Sequence, residues 1–334
     1  MPGARAPGDF APPRWLRGAH LQSTLPGLPL RRGWVEHRAR KLLAVSRELL
    51  LDCGEGVRLQ AFHSPALKRG VPRLAVLLHG WEGSASSLYV IALAHTLHAA
   101  GIDVVRLNLR DHGDTHHLNA DLFHSCRLAE VIGAVRRLQW LFPHHRCALA
   151  GFSLGGNFVL RVAAEAPAAG LDIAAAIGIS PVLDPVACLD ALERGWWLYR
   201  AYFLQKWTTS LRRKQRAWPG RFNFSALLAA RDLRAMTREL VLSHAGFADL
   251  DSYFRGYTLT GERLAGLRVP ATILAALDDP IVPAADLSGL AATPWLRVVA
   301  LPTGGHCGFF DSLVGPGWAE RFVLRELFPT GATR

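Results

Sequence analysis

Short runs that are apolar at nearly every position alternate with helix-length patterns along most of this 334-residue chain. The runs fall at 74–78, 104–109, 147–151, 173–179, 272–277 and 296–301, and helices are predicted around 86–100, 125–141, from 154 onward and at 318–327. A strand that is apolar on both faces must be covered on both faces, and parallel neighbours require crossover helices that do so. The alternation therefore predicts an α/β fold with a mostly parallel central sheet covered by helices on both faces. Ahead of it, 46–52 and 57–63 flank Gly54-Glu55-Gly56 and predict a hairpin that opens the sheet. Half of the residues are hydrophobic and 19% are charged, enough apolar material for a sizeable core.

Two segments break the pattern. Residues 1–40 are rich in Pro, Arg and Gly, show no sustained period and read as an irregular N-terminal arm, packed on the domain through Trp15, Leu16, Leu21 and Trp34. Residues 184–262 carry no strand pattern and open with Trp196, Trp197, Tyr199, Tyr202, Phe203 and Trp207. They read as a helical cap or lid inserted after the sixth strand, leaving 41–183 and 263–334 as the α/β core. Such an insertion would lie over the carboxyl ends of the strands, where open α/β sheets bind ligands. Its aromatic residues suit either a ligand wall or the insertion's own core.

The strongest chemical signal is GFSLGGN at 151–157, placed where an apolar run ends and a helical pattern begins. A serine between glycines at such a junction can sit on a tight, strained turn, because Gly151 and Gly155 remove the side chains that would collide there. Ser153 is thus the candidate nucleophile. A serine hydroxyl needs a base, and the base needs an acid to orient it. Downstream, LDDPIVP at 277–283 offers Asp279, with Asp278 as a competitor, and GGHCGFF at 304–310 offers His306 in the loop after the last predicted strand. The order Ser, acid, His suits a sheet of this kind. HGWEGS at 79–84 follows the first long apolar run, so backbone N–H groups of Trp81 and Leu154 are assigned to an oxyanion hole, with His79 fixing the loop. The same constellation would cleave esters, thioesters or amides, and a non-catalytic ligand- or partner-binding module on this fold is the reading from a different class.

No cofactor is called for. The His-rich stretch at 110–117 contains imidazoles and carboxylates, yet no convincing remaining ligand set accompanies it, so it is read as a hydrogen-bonded loop and no metal is expected. The formal charge of +11 comes mostly from scattered arginines, with one cluster at 212–216 read as a solvated helix face. No nucleic-acid module surrounds it, so nucleic acid is not expected, and weak contact with an anionic membrane surface is the remaining electrostatic expectation. Cys53, Cys126, Cys147, Cys188 and Cys307 have no metal-ligand spacing, and no secretory signal or 18-residue apolar span is apparent. A cytoplasmic protein is expected.

Together with HLQSTLP at 20–26, these motifs resemble the YheT-like α/β hydrolases, which have plant and animal relatives. The resemblance covers most of the chain, and HLQSTLP is its most discriminating part. It implies an α/β-hydrolase fold and a serine hydrolase that cleaves carboxylic esters with acyl or lipid-like groups through Ser153, Asp279 and His306. The apolar insertion independently favours a hydrophobic acyl group over a sugar or peptide.

Overall fold

The computed structural model describes residues 10–67 and 71–329. Three short α-helices, α1 (Ala19–Thr24), α2 (Arg32–Arg38) and α3 (Arg40–Val45), precede the hairpin β1 (Arg47–Asp52) and β2 (Arg58–Ser64). Then come β3 (Arg73–Leu78), α4 (Leu88–Ala99), β4 (Asp103–Leu107), α5 (Leu128–Leu141), β5 (Arg146–Phe152), α6 (Leu154–Ala169) and β6 (Ala175–Ile179). Five helices follow: α7 (Pro185–Arg194), α8 (Trp197–Ala217), α9 (Ser225–Ala229), α10 (Leu233–His244) and α11 (Leu250–Arg255). The chain closes with β7 (Ala271–Ala276), β8 (Leu296–Leu301) and α12 (Trp318–Leu327).

The eight strands form one sheet in the order β1-β2-β4-β3-β5-β6-β7-β8. β2 pairs antiparallel with both β1 and β4, and every pair from β4 to β8 is parallel. Alternate residues of one strand enter different cores. In β3, Leu74, Val76 and Leu78 join the core shared with α5 and α6, whereas Ala75 and Leu77 join the core shared with α2, α4 and α12. That two-sided burial is the physical content of the unbroken apolar runs. The strand order reverses around β3, so its carboxyl end and that of β5 flank a crevice of the kind where such sheets bind ligands.

The helices between β6 and β7 are locally encoded. Asp184 caps α7 by accepting from Val186 and Ala187 N–H with Pro185 at the first position, and Asp232 caps α10 through Ala235 N–H. Asp249 and Ser252 form a capping box on α11.

The N-terminal segment corrects the expectation of an irregular arm. From Arg14 onward it is a succession of short helical turns, each too brief for its period to register in the sequence. Residues 1–9 of that arm lie outside the described residues. Leu16 is fully buried against Leu25 and Phe310, and Trp34 packs on the core beside α4, but Trp15 and Leu21 are 62% and 39% exposed rather than packed. A second correction concerns 212–216. Lys214 is buried, bonding Asp111 Oδ1 at 2.7 Å and the carbonyls of Asn119 and Asp121, while Arg212, Arg213 and Arg216 remain exposed. A buried lysine in a basic run is invisible until its carboxylate partner, a hundred residues away, is placed. Among the described residues no helix is long and apolar enough to cross a membrane.

Candidate active site

Ser153 stands between β5 and α6 with φ +51° and ψ −118°, a conformation L-residues rarely adopt. The turn closes because glycines surround it. A β-carbon on Gly155 would stand 2.3 Å from the His79 carbonyl oxygen, and one on Gly151 would stand 2.2 Å from that of Gly155. Close approach of strand, helix and the loop after β3 is therefore possible only with glycine at both positions. Ser153 N–H donates to the Ile179 carbonyl at 2.8 Å, which holds the elbow to the end of β6.

The loop after β3 is rigid for a different reason. His79 is completely buried, donates from Nδ1 to the Gly80 carbonyl (2.7 Å) and accepts the Leu109 N–H at Nε2 (3.2 Å). Both ring nitrogens are thus committed, and burial pushes its pKa down to about 3, so it stays neutral and fixes the loop. Trp81 N–H donates to no backbone carbonyl among the described residues, and Leu154, as the first residue of α6, has no intrahelical acceptor.

The two candidate acids separate cleanly. Asp279 is buried; its Oδ2 lies 2.9 Å and its Oδ1 3.2 Å from His306 Nδ1, and Oδ1 also accepts the N–H groups of Ile281 and Val282 at 2.8 and 2.9 Å. Asp278 turns the other way and accepts Gly305 N–H at 2.9 Å, tying the two loops together. Burial alone would depress the His306 pKa, but the Asp279 charge and hydrogen bond, together with Cys307, override it and hold the imidazole well above its ordinary value.

Trp81, Ser153 and Leu154 meet on one apolar cleft, whose far walls come from α7, α8, α10 and α11 through Leu189, Phe203, Trp207, Leu240 and Tyr253. Of the aromatic residues noted at the start of the insertion, Phe203 and Trp207 belong to this wall, whereas Trp197 and Tyr202 are at least half exposed. Asp279 and His306 are joined to each other. Among the described residues no hydrogen bond joins Ser153 Oγ to His306, a contact that often tightens only with substrate in place. The His306 loop and the Ser153 elbow nonetheless share an anchor through the next residue, because Cys307 Sγ lies 3.5 Å from the same Ile179 carbonyl that receives Ser153 N–H, and Cys307 N–H donates to Ser180 Oγ at 3.1 Å.

Several positioning residues escaped the sequence reading. The 20–26 segment clamps the His306 loop: Ser23 Oγ accepts His306 N–H at 2.8 Å, and buried Gln22 both accepts Phe310 N–H (2.8 Å) and donates to the carbonyls of Phe310 and Leu16 (2.8 and 2.6 Å). Gly305, at φ +55°, lies so close that a β-carbon would stand 2.4 Å from the Ala19 carbonyl oxygen. His20 Nδ1 sits 2.9 Å from Tyr199 Oη, linking the clamp to α8. Asn157, one turn past the serine, donates to the carbonyls of Val182 and Tyr257 and accepts from Arg161, so α6 holds both ends of the helical insertion. The motif letters were in view; their partners lie up to 288 residues away. Gln22→Ala is expected to cost about 2–4 kcal/mol of stability, since three bonds are lost and buried groups are left unpaired, and urea denaturation will measure it.

The alpha/beta hydrolase fold model matches residues 75–313. An Escherichia coli (strain K12) protein named "Putative esterase YheT" is 28% identical over 93% of this chain and 91% of its own length. The monoacylglycerol lipase of Saccharomyces cerevisiae is 22% identical over 76% of this chain, which spans 58% of that protein. The solved structure of a Pyrococcus furiosus esterase superposes with a TM-score of 0.57 at 15% identity, covering 84% of this chain and 89% of that one.

Proposed function

Given that the chain belongs to the alpha/beta hydrolase fold family and is YheT-like within it, we propose that it cleaves carboxylic esters with hydrophobic acyl groups through a Ser153–His306–Asp279 triad. The observation that carries this reading is the buried Asp279–His306 pair, whose loop neighbour Cys307 reaches with Sγ the Ile179 carbonyl that also receives the N–H of the strained Ser153 elbow. Ser153 Oγ attacks the acyl carbon and its proton passes to His306 Nε2, while Nδ1–H remains on the Asp279 carboxylate. The developing oxyanion accepts from the N–H groups of Trp81 and Leu154. His306 then returns the proton to the leaving alcohol oxygen, and water, activated by the same imidazole, releases the acid and restores the serine. The segment 184–262 serves as the cap, its α8 and α10 enclosing the acyl chain. Only residues of this chain and water take part.

Turnover of p-nitrophenyl esters of increasing acyl length tests the proposal, together with labelling of Ser153 by a fluorophosphonate. Each methylene buried in the cleft is worth up to ~0.8 kcal/mol, so kcat/KM is expected to rise by up to about fourfold per added methylene until the cleft is full. Absence of both turnover and label would sink the catalytic reading.

A further inference from the structure

A second cavity lies across Trp81 from the acyl cleft, and its chemistry is opposite. Helix α8 divides the two: Phe203 and Trp207 face the cleft, whereas Tyr202, Lys206, Thr209, Ser210 and Arg213 line the second cavity. The latter five recur at i, i+4, i+7, i+8 and i+11, one continuous helix face beside the aromatic one. Trp81 borders both spaces, stacked on Phe203 with ring centres 5.0 Å apart and meeting Trp207 edge-on at 5.2 Å. Its neighbour Gly80 backs onto the nucleophile so closely that a β-carbon there would stand 3.2 Å from Ser153 Cβ. Ser153 itself opens on the apolar cleft, and Trp81 is the residue that separates this cleft from the polar space.

The polar space is bordered by buried as well as exposed polar groups. His112, 3% exposed, borders this cavity and donates from Nδ1 to the Arg110 carbonyl at 2.7 Å, while its Nε2 is buried with no partner among the described residues. The charges facing it are Arg32, Lys206 and Arg213 against Glu82 and Asp111. Asp111 is committed to Lys214, and burial pushes the Glu82 carboxyl up to about 8, so it is largely neutral at pH 7. The ion pairs of Arg32 with Glu36 and of Arg213 with Asp114 are exposed and weak. With Asp111 paired to Lys214, the three cations Arg32, Lys206 and Arg213 face one remaining carboxyl, that of Glu82.

We infer that this cavity receives the alcohol portion of the ester, and that this alcohol bears a phosphate or carboxylate for Lys206 and Arg213. The inference rests on the ester-hydrolase reading and names the leaving group of that same site. It is tested with four esters of one acyl chain, on glycerol, glycerate, glycerol 3-phosphate and choline. The anionic esters are expected to exceed the glycerol ester in kcat/KM by about tenfold at low salt, with the choline ester slowest and the advantage shrinking as salt screens it. Preference for the phosphate alone identifies a phosphorylated alcohol; equal preference for glycerate identifies a general anionic subsite. Lys206→Ala and Arg213→Ala should each move the anionic-to-neutral ratio toward one, a ratio insensitive to how much of a variant folds. The subsite is overturned if the glycerol or choline ester matches the anionic ones, or if neither substitution moves the ratio. If wild type cleaves none of the esters, calorimetric titration with glycerol 3-phosphate separates the two ideas. Binding that Lys206→Ala weakens keeps the subsite while the catalytic reading fails, and absence of binding overturns the subsite as well.

Discussion

Ser153→Ala is expected to lower kcat for any accepted ester by about 10⁴–10⁶-fold, because the covalent step is lost and only transition-state binding by the remaining site survives. The fold should be untouched. Ser153 Oγ makes no hydrogen bond among the described residues, and alanine meets the same backbone demand at φ +51° as serine does. Unchanged thermal unfolding, together with loss of turnover and of fluorophosphonate labelling, is the combined result expected. Activity retained in a folded Ser153→Ala protein would place the chemistry on another residue and dismantle the triad.

The second large effect distinguishes the adjacent acids. Asp279→Asn should depress kcat about 10⁴-fold, since an amide can present its NH₂ to His306 Nδ1 and favour the wrong tautomer. Asp278→Asn keeps an oxygen to accept Gly305 N–H and should cost far less. The pH profile provides an independent readout. The base works only when unprotonated, and the Asp279 charge holds the His306 pKa above the ordinary imidazole value despite burial. The wild-type acid limb of kcat/KM should therefore lie above about pH 6.5, with activity lost as pH falls through it. Without that charge burial is opposed only by Cys307, so the residual activity of Asp279→Asn should show its limb at lower pH. An unmoved limb, or equal losses in both variants, would remove Asp279 from the assigned role.

The strand rhythm was legible because each parallel strand buries both faces, and a run such as 74–78 records that environment in its own letters. Boundaries shifted by a residue or two, as at β4, which ends at Leu107 where Asn108 turns its side chain to Ala85 N–H and Gln60. The helical nature of 184–262 was readable from the absence of strand pattern. Which of its aromatics face the cleft was not, since Trp197 and Phe203 differ only in the side of α8 they occupy once the helix has docked. The arm misled because helices of six or seven residues are too short for a period to emerge.

From the letters alone came the parallel sheet, the serine on its glycine-flanked elbow, and the order of acid and histidine after it, because these depend on local backbone geometry and on burial that repeats along one segment. Only tertiary structure paired Asp279 with His306 and Asp278 with Gly305 N–H, turned Gln22 and Ser23 into a clamp on the His306 loop, buried Lys214 against Asp111, and set a polar cavity across Trp81 from an apolar one. Each of those pairings joins groups 27 to 288 residues apart. A side chain's identity records which partners it could accept, and only the folded chain brings one of them within 3 Å.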